Sequence, residues 1–216
     1  MKIAILTTKI QWFEPYAEEL SRKLGNIPIF NNHVDFDGNY DIIFIISYHK
    51  IIPQEALKKN NHNIVIHESL LPKGKGWAPL FWRILEGKSN ISFTMIEASV
   101  DVDGGDIYMQ KMLELAGNEL NEELRNKQAK LTIQMCLEFV TNYEQYKIPV
   151  EQSGDESFYA KRSKEDSRLD IDKTIREQFN LLRVVNNDDY PAYFELEGNR
   201  YILKIELDNS GRGVVD

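Results

Sequence analysis

The sequence predicts an α/β fold in which a mostly parallel sheet is flanked by helices and followed by a small C-terminal unit of one helix and a β-hairpin. Three observations carry this expectation. Short apolar runs alternate with helical stretches over the first two thirds of the chain. Ile42 to Ile46 is apolar without a break, as suits a central strand covered on both faces. After Pro149 the composition turns polar, so residues 1–150 read as the main domain and 151–216 as an appendage. With 216 residues, 42% of them apolar and 28% charged, the chain is long and apolar enough for one sizeable core.

Taken in order, Lys2 to Thr7 reads as a buried strand and Trp12 to Leu24 as an amphipathic helix that stops at Gly25. Ile27 to Phe30 is a short strand and Asp41 to Ser47 a central one; Pro53 to Lys59 is a short helix with proline in its first turn. Ile64 to His67 is a further buried strand, Ala78 to Leu85 a helix ended by Gly87, and Ile91 to Ile96 another strand. Ile107 to Leu115 alternates, as an edge strand does. Asn118 to Tyr146 carries one long helical stripe through Leu120, Leu124, Leu131, Met135, Phe139 and Val140. Gln152 to Asp166 reads as a linker or surface loop. Asp172 to Leu182 then reads as a helix, and Ala192 to Leu196 and Tyr201 to Ile205 as hairpin strands around Glu197-Gly198-Asn199-Arg200. Asn209 to Gly213 is expected to fray.

Charge and cysteine content narrow the function. A net charge of −8 argues against general phosphate neutralisation on a nucleic acid, although a local basic loop could still hold one phosphorylated small molecule. The lone Cys136 has no internal disulfide partner and falls in an apolar helical stretch. No signal-peptide core or membrane span is visible, so the expected compartment is the cytoplasm. The first strand leads into Thr7-Thr8-Lys9-Ile10-Gln11 without glycine, which removes the dinucleotide fingerprint. The four histidines and one cysteine lack metal-ligand spacing, and no metal is expected.

Two loops hold the chemistry. Ile64 to Pro79 ends a buried strand on His67 and continues into a loop with Lys73, Gly74, Lys75, Gly76 and Trp77, and strand carboxyl ends are where α/β sheets bind ligands. Ile91 to Ile107 ends another strand in a loop with Asp101, Asp103, Gly104, Gly105 and Asp106. Each has a plainer reading: a core histidine with solvated lysines, and a turn in which Asp and Gly serve their own backbones. If the strand ends bring Asp103 beside His67, the carboxylate would favour the charged imidazolium and fix its tautomer, as a general acid/base pair requires.

His67-Glu68-Ser69-Leu70-Leu71-Pro72, the glycine-containing basic loop with Ala78-Pro79, Thr94-Met95-Ile96 and Val102-Asp103-Gly104-Gly105-Asp106-Ile107 together resemble the folate-dependent formyltransferases. The resemblance runs from Lys2 to about Tyr146. It implies a Rossmann-like catalytic domain and N10-formyltetrahydrofolate as co-substrate, with His67 and Asp103 catalytic and His49 as possible support. It also implies a folate site formed by Ser47, Tyr48, His49, Ile51, Leu70, Leu71, Pro72, Val100 and Asp103. The family's asparagine two residues before the histidine is Val65 here, and Asn63 lies a further residue pair away, about 6–7 Å.

The wording of the histidine loop, and the run Arg162 to Asp170 with Tyr190-Pro191-Ala192, resemble the branch acting on nucleotide-linked amino sugars in bacterial surface-polysaccharide (lipopolysaccharide) synthesis. Lys73, Lys75, Trp77 and Arg168 are then the expected substrate contacts. Formyl transfer to methionyl-tRNA or another amine, and a non-catalytic relative that binds folate or sugar, stay open as alternatives. No nucleic acid and no membrane are expected as partners, and the exposed hairpin could pair two subunits as a homodimer.

Overall fold

The computed structural model describes residues 1–36 and 39–208. Its centre is a six-stranded sheet ordered β2-β1-β3-β4-β6-β7. The strands are β1 (Ile3–Leu6), β2 (Ile29–Phe30), β3 (Ile42–Ile45), β4 (His62–His67), β6 (Asn90–Glu97) and β7 (Ile107–Glu114). The first four are mutually parallel, whereas β6 runs antiparallel to β4 and β7 antiparallel to β6. The expected mostly parallel sheet is thus present, with β7 at its edge.

Alternation along the strands divides the core in two. Ile3, Ile5, Ile42, Phe44, Ile64 and Ile66 face the larger core under α1 (Glu14–Lys23), α3 (Pro79–Leu85) and α4 (Asn121–Thr141). Ala4, Leu6, Ile43 and Ile45 face a smaller cluster with Tyr40 and Leu57, the latter from α2 (Gln54–Leu57), and Val65 packs against it. Phe44 and Phe93 are fully buried, and burial of such a ring stabilises by about 1.5–3 kcal/mol. Between α1, α3 and α4 the Arg125 guanidinium lies 4.4 Å from both the Trp12 and Phe81 rings. Burial lowers its pKa to about 10, with Glu68 pulling the other way.

Several expectations change in the second half of the chain. The long helix breaks at Asn142 into α4 and a single turn, α5 (Tyr143–Tyr146). The helix expected over Asp172 to Leu182 is confined to α6 (Phe179–Val184). In the preceding segment Gln178 folds back, its side-chain amide donating to the carbonyls of Asp170 and Lys173. The hairpin pairs β9 (Ala192–Leu196) with β10 (Asn199–Leu203), leaving a two-residue turn at Glu197-Gly198 in place of four. Both turn residues have positive φ, the geometry that matches strand twist in tight hairpins. The Asn209 to Gly213 end lies outside the described residues.

Gln152 to Asp166 lies at the surface, as one of its two readings expects, but it is no free linker. It contains β8 (Phe158–Tyr159), which pairs in parallel with β5 (Lys75–Gly76) in the loop after β4. Val150 also bridges to Ile107. Tyr159 stacks on Trp82, whose indole N–H donates to the Ala160 carbonyl at 2.9 Å. No helix among the described residues is long and apolar enough to cross a membrane.

Candidate active site

His67 is the last residue of β4 and, by the period of two, shares the face of Asn63 and Val65. It is 5% exposed. Its Nε2 lies 2.7 Å from the Gly74 carbonyl, which only accepts, so Nε2 carries a proton. Gly74 is itself held, its N–H donating to the Ser157 carbonyl at 3.1 Å and to Ser157 Oγ at 2.9 Å. The tautomer is therefore set by Gly74 and not, as expected, by Asp103.

Asp103 arrives by a longer route than neighbouring strand ends would give. Because β6 is antiparallel to β4, Glu97 stands opposite Ile64, three residues short of His67 or about 10 Å down the strand. The loop must run back along the sheet. Ala98 N–H donates to the Asn63 carbonyl at its start, and Gly105 closes it against Glu97, where an added Cβ would lie 1.6 Å from the Glu97 carbonyl oxygen. Asp103 turns at φ 50°, a left-handed conformation that aspartate tolerates better than most residues. Its Oδ2 accepts from Gly76 N–H at 2.8 Å and stands 3.5 Å from His67 Nδ1. Nδ1 and Oδ2 thus face each other as two acceptors around room for one shared proton. Oδ1 accepts no hydrogen bond among the described residues and is the oxygen left for a ligand.

The remaining expected residues divide. Leu70, Ile51 and Val100 are 51%, 92% and 68% exposed on three separate loops, and Ser47 turns at φ 51° after β3. The backbone amides of residues 47–52 and 99–103 donate to no acceptor among the described residues. Leu71 and Pro72, in the loop after His67, are buried. Tyr48 is engaged elsewhere, its hydroxyl 2.7 Å from His33 Nδ1, and the exposed His49 places Nδ1 3.2 Å from Thr8 Oγ1. No hydrogen bond, ion pair or ring contact joins His49 to His67 among the described residues.

Lys73 is exposed, 3.9 Å from Asp155. The expectation of a paired basic grip with Lys75 is corrected: Lys75 is 5% exposed inside the β5–β8 ladder and its ammonium bonds Glu156. Trp77 is half-exposed with the Lys161 ammonium over its ring. Arg168 belongs to the hairpin unit, where it pairs with Glu195 at 3.0 Å. Among the described residues no group of three or more His, Cys, Asp or Glu side chains could hold a metal ion.

Sequence reading missed the polar network that anchors the Asp103 loop. Glu97 accepts from Asn63 N–H and from Tyr108 O–H at 2.6 Å; His62 bonds Tyr108 on one nitrogen and Tyr143 on the other. Burial raises the Glu97 pKa and outweighs the bonds from Tyr108 and Asn63 that lower it. Burial likewise lowers that of His62, against the pull of Asp41. Asn63 is thereby fully occupied. Gln152 was missed as well: its side-chain N–H groups donate to the carbonyls of Asp103 and Gly105 at 2.8 and 2.7 Å. An isolated glutamine in a polar stretch gives no signal.

Residues 34–140 match the profile of a family described as formyl transferase. A methionyl-tRNA formyltransferase from Ehrlichia ruminantium (strain Gardel) is 33% identical over 157 residues, 72% of this chain and 50% of that protein. The chain belongs to the formyl transferase family. It spans about half the length of this curated relative. Among solved structures, a methionyl-tRNA formyltransferase from Clostridium thermocellum superposes with a TM-score of 0.81 at 21% identity, covering 98% of this chain and 96% of that one. A 4-N formyltransferase from Francisella tularensis gives 0.70 at 21% identity, covering 96% and 98%. These likenesses establish the formyl transferase fold, and His67 and Asp103 lie inside the matched segment.

Proposed function

We propose that this formyl transferase moves a formyl group from N10-formyltetrahydrofolate to a primary amine, and that the amine belongs to a nucleotide-linked sugar. The observation that carries the chemistry is the His67–Asp103 pair at the end of β4, His67 buried and Asp103 partly exposed, with Asp103 Oδ1 accepting no hydrogen bond among the described residues.

The residues present fit a folate. A flat, partly apolar ring with a hydrogen-bonding edge suits the exposed Ile51, Leu70 and Val100 together with the unengaged amides of 47–52 and 99–103. Residues 47–52, Leu70, Val100 and Asp103 would hold it. When bound, it supplies the electrophilic formyl carbon. Asp103 Oδ1 takes the proton that the attacking amine sheds, and His67 and Asp103 Oδ2 hold a second proton between them for the departing nitrogen. The formyl oxygen gains negative charge as the amine adds, and a preorganised donor there is worth about 3–4 kcal/mol. Val65 offers no donor. His67 Nε2 can serve only by giving up Gly74, so the amides of 99–103 are the readier donors in this chain.

The sugar reading is favoured by the acidic balance and by the exposed Lys73 and Trp77 beside the histidine loop, which suit a phosphate and a ring. Methionyl-tRNA is the second reading, because the curated relatives that resemble this sequence are named for that acceptor. Purified protein is to be assayed with N10-formyltetrahydrofolate against a panel of amino-sugar nucleotides and against methionyl-tRNA. Turnover on a sugar nucleotide is expected; turnover on methionyl-tRNA alone overturns the sugar reading. Folate binding without turnover on any amine overturns the transferase reading.

A further inference from the structure

We propose that residues 150–160 act as a positioning strap for the His67–Asp103 pair, with Gln152 as the positioning residue that fixes Asp103. The two side chains have no covalent reason to keep register: His67 ends β4, whereas Asp103 sits on the loop that runs back from β6. A single segment grips both. On the histidine side, Ser157 receives the Gly74 N–H through its carbonyl and its hydroxyl, and β8 zips onto β5 through Lys75 and Gly76. Gly74 is the residue whose carbonyl orients His67, and Gly76 supplies the N–H that holds Asp103 Oδ2. On the aspartate side, the Gln152 amide gives one hydrogen to Asp103 O and one to Gly105 O, bracketing the left-handed turn.

The donor arithmetic favours a positioning role. Both Gln152 hydrogens are spent on two carbonyls of one short turn. Gly105 cannot retreat, because it already touches the Glu97 carbonyl, so Asp103 is clamped from both sides. Misplacement of a reacting group by about 1 Å can cost on the order of 100-fold in rate.

The test compares Gln152→Met, which keeps the length but removes both donors, with Gln152→Ala and Ser157→Ala. Each is assayed on the acceptor that the wild type uses, well below its own melting midpoint. Both Gln152 variants are expected to lose about 10- to 100-fold in kcat with KM for the amine acceptor changed less than two-fold. Ser157→Ala, which keeps the carbonyl contact, is expected to lose about three-fold in the same KM-silent way.

The kinetic arm rests on the formyl-transfer reading, so a second readout stands apart from turnover. Hydrogen exchange of the Gly76 amide, which donates to Asp103 Oδ2, is expected to accelerate at least ten-fold in Gln152→Met while the β4 amides keep their protection. Wild-type kcat or unchanged Gly76 exchange in that variant overturns the strap. If the wild type itself fails to turn over, the transferase reading falls and the exchange result decides the strap alone.

Discussion

At the scale of single residues, the site depends on which atoms are already committed. His67 spends Nε2 on Gly74 and turns Nδ1 to Asp103, whereas Asp103 keeps Oδ1 unengaged. Asp103→Asn is therefore expected to lower kcat by at least about 100-fold, because the amide cannot accept the amine's proton and presents two donors where one acceptor is needed. Its melting temperature should stay within a few degrees of wild type, since the side chain is outside both cores. Near-normal turnover in a steady-state assay would remove Asp103 from the proposed role. The pairing was legible because the motif around each residue is local in sequence. The tautomer was not, because the Gly74 carbonyl is a backbone group that every residue carries. Lys75 misled for a related reason: its type is that of a solvated loop charge, and only the β5–β8 pairing, 83 residues away, buries it.

At the scale of elements, apolar runs and periodicity located β1, β3, β4, β6, β7 and α4 because each buries one or both faces over several residues. The two-residue strands β5 and β8 bury too little for any period to show, and the turns at 172–178 are held by the Gln178 side chain, so neither leaves a pattern. One junction relies on a buried ion pair. Arg183 of α6 bonds Glu119 just before α4, with Nη2 2.8 Å from the carboxylate and Nε on the Glu119 carbonyl. Arg183→Leu leaves that carboxylate buried with one partner fewer, and a loss of about 3–5 kcal/mol is expected in urea unfolding. Arg200→Leu, which breaks exposed pairs to Glu165 and Glu195, should cost under about 1 kcal/mol. Equal effects would show that burial does not govern these pairs.

At the scale of the whole molecule, the net charge of −8 is spread over a surface whose internal carboxylates behave differently from its external ones. Burial pushes the Glu119 carboxyl up. The amides of Ala116 and Gly117, its own backbone and Lys127 pull harder the other way, leaving it at about 2. A carboxyl depressed in the folded state contributes stability above its unfolded value of 4.5 that is lost as pH falls toward about 2, at most about 3 kcal/mol. His62 adds a loss that begins below 6.5, because burial keeps its folded form neutral. Thermal unfolding across pH 7 to 2.5 should show stability falling through both windows, and Glu119→Gln should flatten the lower one. The α/β class follows from strands that any apolar count can find, whereas the sheet order and the strap join segments whose sequences carry no mark of each other. That strap also leaves an optical trace. Trp82 lies 10° from parallel with Tyr159 while its indole N–H is pinned to Ala160, so the ring is held in one chiral setting. Its near-ultraviolet circular dichroism is a signal native to the protein, one that fades as the segment lifts even while the helices and the sheet remain.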